Sequence, residues 1–326
     1  MEIGKVPENV LKRSVFKKLT VNRPEVLIHP GVGEDCSVLT AGEEAIVLST
    51  DPITGTAKDI GSLAFHITAN DIASSGAELI GMLLTIIFPP GATEKELKKI
   101  MQDITALAEA YQVEILGGHT EVSAAVNQTL LSVTGVGKAP KDKIITTGGL
   151  KVGQDIVVTK WIGLEGTSIL AKEKEGELTE KLPREMVETA KSFSKLLSVV
   201  PEGKIAADIG VSAMHDVTEG GIFGALWEMA AASGVGLEID LKKIPIRQET
   251  IEVCEVFDIN PYMLISSGSM LIGTSHGNQL VEELARAGIH SAVVGYATEG
   301  NDRVIRNGEE RRFLEPPKKD ELFQVL

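Results

Sequence analysis

Hydrophobic positions recur along this chain in two alternating periods, and the alternation predicts the architecture. Short apolar or β-branched runs bounded by Gly, Pro, Ser or Asp fall at 45–50, 80–88, 129–136, 156–159, 237–241, 270–273 and 292–294, the pattern of buried strands. Between them the spacing changes to three and four. Leu97, Ile100, Met101, Ile104, Leu107, Ala108 and Tyr111 form one stripe behind Thr93, with Glu96 in capping-box position, which predicts a helix with one buried face. Met186, Val187, Ala190, Phe193, Leu197 and Val200 form a second stripe, after a charged stretch at 172–181 that reads as an exposed loop. Strand and helix periods in this order predict an α/β (α+β) fold.

The segment 138–153 breaks the pattern with Pro140, a charged tripeptide and Gly148-Gly149, near the middle of the chain. At 326 residues the chain exceeds one typical core, so two domains are expected, 1–148 and 149–326. A net charge of −14 with no dense Lys/Arg cluster disfavours a nucleic-acid surface. The apolar run 80–88 is too short to cross a bilayer and is followed by Pro89-Pro90, so no membrane span is expected. Cys36 and Cys254 are far apart, without metal-ligand spacing; this fits a reducing compartment and a cytoplasmic protein. Both thiols read as small buried side chains rather than nucleophiles.

Candidate chemistry collects in acidic and Gly-rich turns: Gly31-Val32-Gly33-Glu34-Asp35, Ser49-Thr50-Asp51, Asn70-Asp71, Gly117 to Glu121, and His215 to Gly221. Carboxylates alone repel phosphate, so an acidic site for a polyphosphate needs metal ions in between and glycine N–H groups approaching the oxygens. Each turn also has a plainer explanation. Gly31 and Gly33 suffice for a simple turn, Asp51 for ending a strand, and Thr218 for an ordinary helix N-cap with Gly221 at N3. Asn70-Asp71 is sharper, because an Asx pair inside the helical pattern of Leu63, Ile67, Ile72 and Ala73 is costly by propensity. Asp71 is the expected metal ligand there, with Asn70 as polar support.

The order GVGEDCSV (31–38), STD (49–51), ANDIASSGA (69–77), GGHTEV (117–122), GLEGTSIL (163–170) and HDVTEGGIFGAL (215–226) resembles the AIR synthase-related superfamily over nearly the whole chain. GLEGTSIL and ANDIASSGA look closer to its hydrogenase maturation branch than to its purine, thiamine or selenophosphate branches. The resemblance implies two AIR synthase-like α/β domains, the first forming a β-barrel across a homodimer, with ATP held near that interface by Mg2+. It implies Asp35, Asp51 and Asp71 as metal ligands and Gly33, Asn70, Gly117, Gly118, Thr120, Asp216 and Gly220 as nucleotide contacts. Asp71 and Glu121 are then the catalytic candidates, and His119 is at most a substrate or phosphate contact.

The implied chemistry is activation of a carbonyl- or amide-type oxygen, or another nucleophile, by γ-phosphate transfer. Substrate would be a small molecule or a carrier protein, with metalloenzyme maturation proteins as partners. Two departures stand out: Glu121 follows Thr120 where that branch often shows Thr-Lys, and the chain ends in Glu321 to Leu326 where the branch usually carries a Pro-Arg-Ile-Cys tail. A substrate different from that branch's own is therefore expected. The alternatives are a non-catalytic nucleotide-binding maturation partner and a thiamine-monophosphate-kinase-like phosphotransferase.

Overall fold

The computed structural model of the chain describes residues 5–31, 33–53, 58–316 and 319–326. Val32 of the first Gly-rich turn lies outside the described residues. The N-terminal half runs α1 (Glu8–Ser14), β1 (Val26–Ile28), β2 (Ser37–Ala41), β3 (Glu44–Ile53), α2 (Ile60–Ser74), β4 (Glu78–Phe88), α3 (Glu94–Tyr111), β5 (Glu114–Val122) and β6 (Leu130–Pro140). The C-terminal half runs β7 (Asp155–Thr159), α4 (Leu164–Glu173), α5 (Glu175–Lys181), α6 (Arg184–Ser192), α7 (Val200–Ile209), β8 (Ala213–Asp216), α8 (Gly221–Ser233) and β9 (Gly236–Asp240). It continues through α9 (Gln248–Phe257), β10 (Met270–Thr274), α10 (Gly277–Arg286), β11 (Ser291–Thr298), β12 (Arg303–Asn307), β13 (Glu310–Phe313) and α11 (Leu322–Val325). No helix among the described residues is long and apolar enough to cross a membrane.

The first sheet has the order β1-β2-β3-β6-β4-β5, mostly antiparallel, with β5 parallel to β4 at one edge. Alternation along β4 and β6 buries Met82, Leu84, Ile86, Leu131 and Val133 against α2 and α3. α3 begins as predicted, with the reciprocal Thr93/Glu96 capping box formed. α2 has no polar outer face because nearly all of it is buried: the sheet and α3 cover part of it, and α7 and β8 of the second half cover the rest. Its approach to β6 is close, since a Cβ at Gly137 would lie 2.5 Å from Ile72 Cγ2.

The second sheet has the order β13-β12-β9-β11-β7-β10-β8. One face packs Ile156, Val158, Leu237 and Leu271 on α8; the other packs Val157, Met214 and Ile272 near α7 and α10. The charged stretch expected as a loop is instead the end of α4 and the short helix α5, whose Leu178 anchors it in the core. The second stripe is also divided: α6 stops at Ser192, and a turn of 3-10 helix and a loop precede α7.

Candidate active site

Residues two apart on a strand share a face, so Ser49 and Asp51 of β3 point together toward α2. There the Ser49 hydroxyl donates to the Asp71 carboxylate and lies 3.4 Å from Asp51 Oδ2. Asp35, just before β2, places Oδ2 within 3.3 Å of Ser74 Oγ on the last turn of α2. Asp216 ends β8 of the other domain, and a ligand atom of Asp35, His215 and Asp216 each lies within 4.8 Å of the others. Four carboxylates predicted from separate segments of the chain thus meet between the two domains.

Their electrostatics set what the site accepts. Burial and the neighbouring carboxylates Asp216 and Asp51 push the Asp71 carboxyl well above its usual range. Burial and Asp35 likewise push Asp216 up to about 8, although His215 and Lys5 pull it back. Asp216 Oδ2 is buried without a hydrogen-bond partner. An orphaned carboxylate oxygen among mutually repelling acids fits a hard divalent cation, whose charge removes the repulsion and whose coordination sphere takes the oxygen.

His215 was not singled out from the sequence. Its Nδ1 lies 2.8 Å from Asp35 Oδ2 and its Nε2 3.0 Å from Glu228 Oε2 on α8. Burial alone would lower its pKa, but Asp35 and Glu228 outweigh that and raise it well above the usual imidazole value. Glu228 in turn falls to about 2: burial opposes this, and Lys5 and His215 overcome it. The signal for Glu228 was a single acid in the otherwise apolar helix Ile222 to Ala230; for His215 it was adjacency to Asp216. Gly33 has φ +74, and a Cβ there would lie 3.2 Å from the Glu228 carbonyl oxygen, so glycine lets the loop that carries Asp35 pass against α8. A cleft of ≈ 230 Å³ opens beside Asp35, bordered by Glu34, Ser74, Thr147 and Met214. A second crevice of ≈ 310 Å³, between α2 and α4, lies at the far end of α2 from Asp71, and Lys172 and Asp59 pair at 2.6 Å in its wall.

Other expectations meet different geometry. Asn70 does not support Asp71 by side-chain contact; its amide donates to Leu197 O and accepts from Val199 N, both at 2.8 Å, pinning α2 to the second domain. Gly220 is the left-handed N-cap of α8, displacing Thr218 from that role, and its N–H is already donated to Asp320 Oδ2 at 2.6 Å. Gly117, Gly118, His119, Thr120 and Glu121 do not form a turn, because they extend β5 along β4. Gly118, in register with Leu84, Val133 and Asp51, stands three strand spacings from Asp51, about 14 Å. Within one chain, Glu121 therefore does not join the carboxylates; it is exposed and pairs with His119 at 3.0 Å.

Two family patterns cover this architecture. The AIR synthase related protein N-terminal domain matches residues 33–139 and its C-terminal domain matches 151–307. The chain belongs to the AIR synthase related family. Relatives within it include a putative hydrogenase expression/formation protein of Methanocaldococcus jannaschii, 29% identical over 99% of this chain and 97% of that protein. The carbamoyl dehydratase HypE of Cupriavidus necator is 27% identical over 74% of this chain and 72% of its own length. Crystal structures of family members share the two-domain fold. Escherichia coli HypE superposes with a TM-score of 0.75 at 24% identity, covering 86% of this chain and 88% of that one. A HypE in complex with ATP gives 0.69 at 18% identity, covering 96% and 95%.

Proposed function

We propose that this AIR synthase related protein is a Mg-ATP-dependent enzyme similar to HypE, which activates a carbonyl- or amide-type oxygen by transfer of the γ-phosphoryl group. The observation that carries this reading is the convergence of Asp35, Asp51, Asp71 and Asp216 from both domains, with one buried Asp216 oxygen left without a partner. These four carboxylates would hold Mg2+, which when bound neutralises charge on the triphosphate. The chain's own contribution is positioning. His215 orients Asp35 through Nδ1, Ser49 orients Asp71, and Asn70 fixes the domain angle at which Asp216 faces the other three. The attacking oxygen forms a bond to the γ-phosphorus as the bond to the bridging oxygen of ADP breaks; the C–O bond then breaks and the oxygen leaves as phosphate, while the carbon gains a bond to an incoming nucleophile or, in an amide, further bonding to its own nitrogen as that nitrogen gives up its protons. Homologues named carbamoyl dehydratase support the amide class of substrate, and the relative named as a putative hydrogenase expression/formation protein supports a role in metalloenzyme maturation.

The activated group arrives on another molecule. Cys36 is buried, and burial together with Asp71 raises its thiol well above the usual value; burial raises Cys254 to about 12. Neither thiol is a ready nucleophile.

Calorimetric titration tests the site. Asp71→Asn and Asp216→Asn are expected to weaken Mg-ATP binding at least about tenfold, the scale of a lost charge-assisted contact. The same substitutions should raise the melting temperature in chelator, because they remove carboxylate repulsion that the metal-free protein bears. ATP affinity unchanged by chelator, or by both substitutions, overturns the assignment.

A further inference from the structure

Lys5 lies on the N-terminal segment, outside both matched family regions, yet it reaches the carboxylate cluster. Its backbone N–H donates to Glu219 Oε1 at 2.8 Å, which ties the segment to the β8–α8 turn between Asp216 and Gly220. Its Nζ lies 3.8 Å from Glu228 Oε1. Glu228 is bonded to His215 and His215 to Asp35, so charges alternate from the segment to the site: Lys5, Glu228, His215, Asp35.

The members of that series differ in how committed they are. His215 is 3% exposed, with a carboxylate on each ring nitrogen. Lys5 is 52% exposed and its Nζ stands 3.8 Å from Glu228 Oε1, in the field of Glu219, Asp35 and Asp216 as well, so the ammonium has room to turn a donor toward another anion. Lys160, by contrast, is buried and committed: its Nζ pairs with Glu202 at 2.6 Å and also donates to Ser198 O.

Resting on the Mg-ATP reading, we infer that Lys5 binds the terminal phosphate of the nucleotide, and that the N-terminal segment is a working wall of the site. The chemical reason is charge. Four carboxylates and a triphosphate outweigh the cations that carboxylates alone can recruit, and an ammonium at the rim neutralises the oxygens that face away from the metal. It does so beside His215, whose two ring nitrogens are already engaged by Asp35 and Glu228. The segment is held to the β8–α8 turn by Glu219, so the ammonium and Asp216 keep a common reference.

The test compares full-length wild type, Lys5→Ala, Lys5→Arg and Glu219→Gln by calorimetric titration with Mg-AMPPNP, a non-hydrolysable ATP analogue, and with Mg-ADP. Lys5→Ala should weaken the triphosphate about tenfold, the value of one charge-assisted contact, and leave Mg-ADP within about twofold. Lys5→Arg should recover most of the loss, and Glu219→Gln should reproduce part of it by releasing the segment. Equal affinities of wild type and Lys5→Ala for Mg-AMPPNP, or equal losses for both nucleotides, would overturn the inference while leaving Mg-ATP binding intact. Wild type that binds neither nucleotide would overturn the underlying reading, and the role of Lys5 with it.

Discussion

Two buried acids away from the carboxylate cluster show how single residues couple this fold to pH. Glu165 on α4 is 3% exposed and accepts from Ser267 N at 3.3 Å; Asp320 is 1% exposed and accepts from the N–H groups of Gly220, Leu322 and Ile265. Burial raises Glu165 to about 7 despite the Ser267 bond, with Asp320 adding repulsion, and burial raises Asp320 to about 6. A carboxyl with a raised folded-state pKa keeps its proton in the native state where the unfolded chain has lost it, so stability falls as pH rises between the two values. For Glu165 that window runs from about 4.5 to about 7, and crossing it costs on the order of 3 kcal/mol. Glu165→Gln keeps the acceptor and removes the titration. Calorimetric melting at pH 5 and at pH 8 should show the variant gaining on wild type as pH rises; a difference that stays constant across that range refutes the coupling. The same pair explains why Gly220 looked like a phosphate contact in the sequence: a helix N-terminus with two glycines is an anion site, and here the anion is Asp320 of the chain itself.

At the scale of elements, what was legible followed burial. β3, β4, β6, β7, β9, β10 and β11 carry apolar runs and were placed within a few residues, as was the capped start of α3. β12 and β13 are rich in arginine, and β8 is only Ala213 to Asp216, so pairing rather than composition makes them strands. The polar string of β5 was read as a turn because its glycines signal one. Gly118 is there for a different reason: with φ +148, a Cβ would lie 1.8 Å from the Leu84 carbonyl oxygen, so the residue permits the strand rather than ending it. The site divides the same way. Asp35, Asp51, Asp71 and Asp216 were readable as acids in turns and at strand ends, whereas the pairing of His215 with Asp35 spans 180 residues and exists only once the domains dock. Asn70 controls that docking. Asn70→Ala would leave Leu197 O and Val199 N buried without partners, at a cost of roughly 2–3 kcal/mol. Urea unfolding should register that cost, and Mg-ATP affinity should fall with it if α2 sets the angle between Asp71 and Asp216; full affinity in a destabilised variant would confine Asn70 to a structural role.

At the scale of the whole molecule, one surface is unlike the rest. α2 and α3 cover only one face of the first sheet, and its other face and β5 edge expose Leu83 at 42%, Leu116 at 49% and Val122 at 63%. A strand edge left open invites pairing with another chain, and a second copy offers the self-complementary surface that a two-fold dimer needs. Dimerisation through this sheet would also address the distance that separates Gly117, Gly118 and Thr120 from the carboxylates of their own chain, because it gives β5 a facing strand and a walled groove in which backbone N–H groups can meet a nucleotide. Light scattering is expected to give twice the 34.8 kDa chain mass for wild type. Leu83→Asp places a charge at an already exposed position, so the monomer should stay folded while the dimer is lost. If the groove completes the nucleotide site, Mg-ATP affinity should fall in step with the dimer fraction across a dilution series. A monomeric Leu83→Asp protein that binds Mg-ATP as wild type does would place the whole nucleotide site within one chain and leave β5 without a part in it.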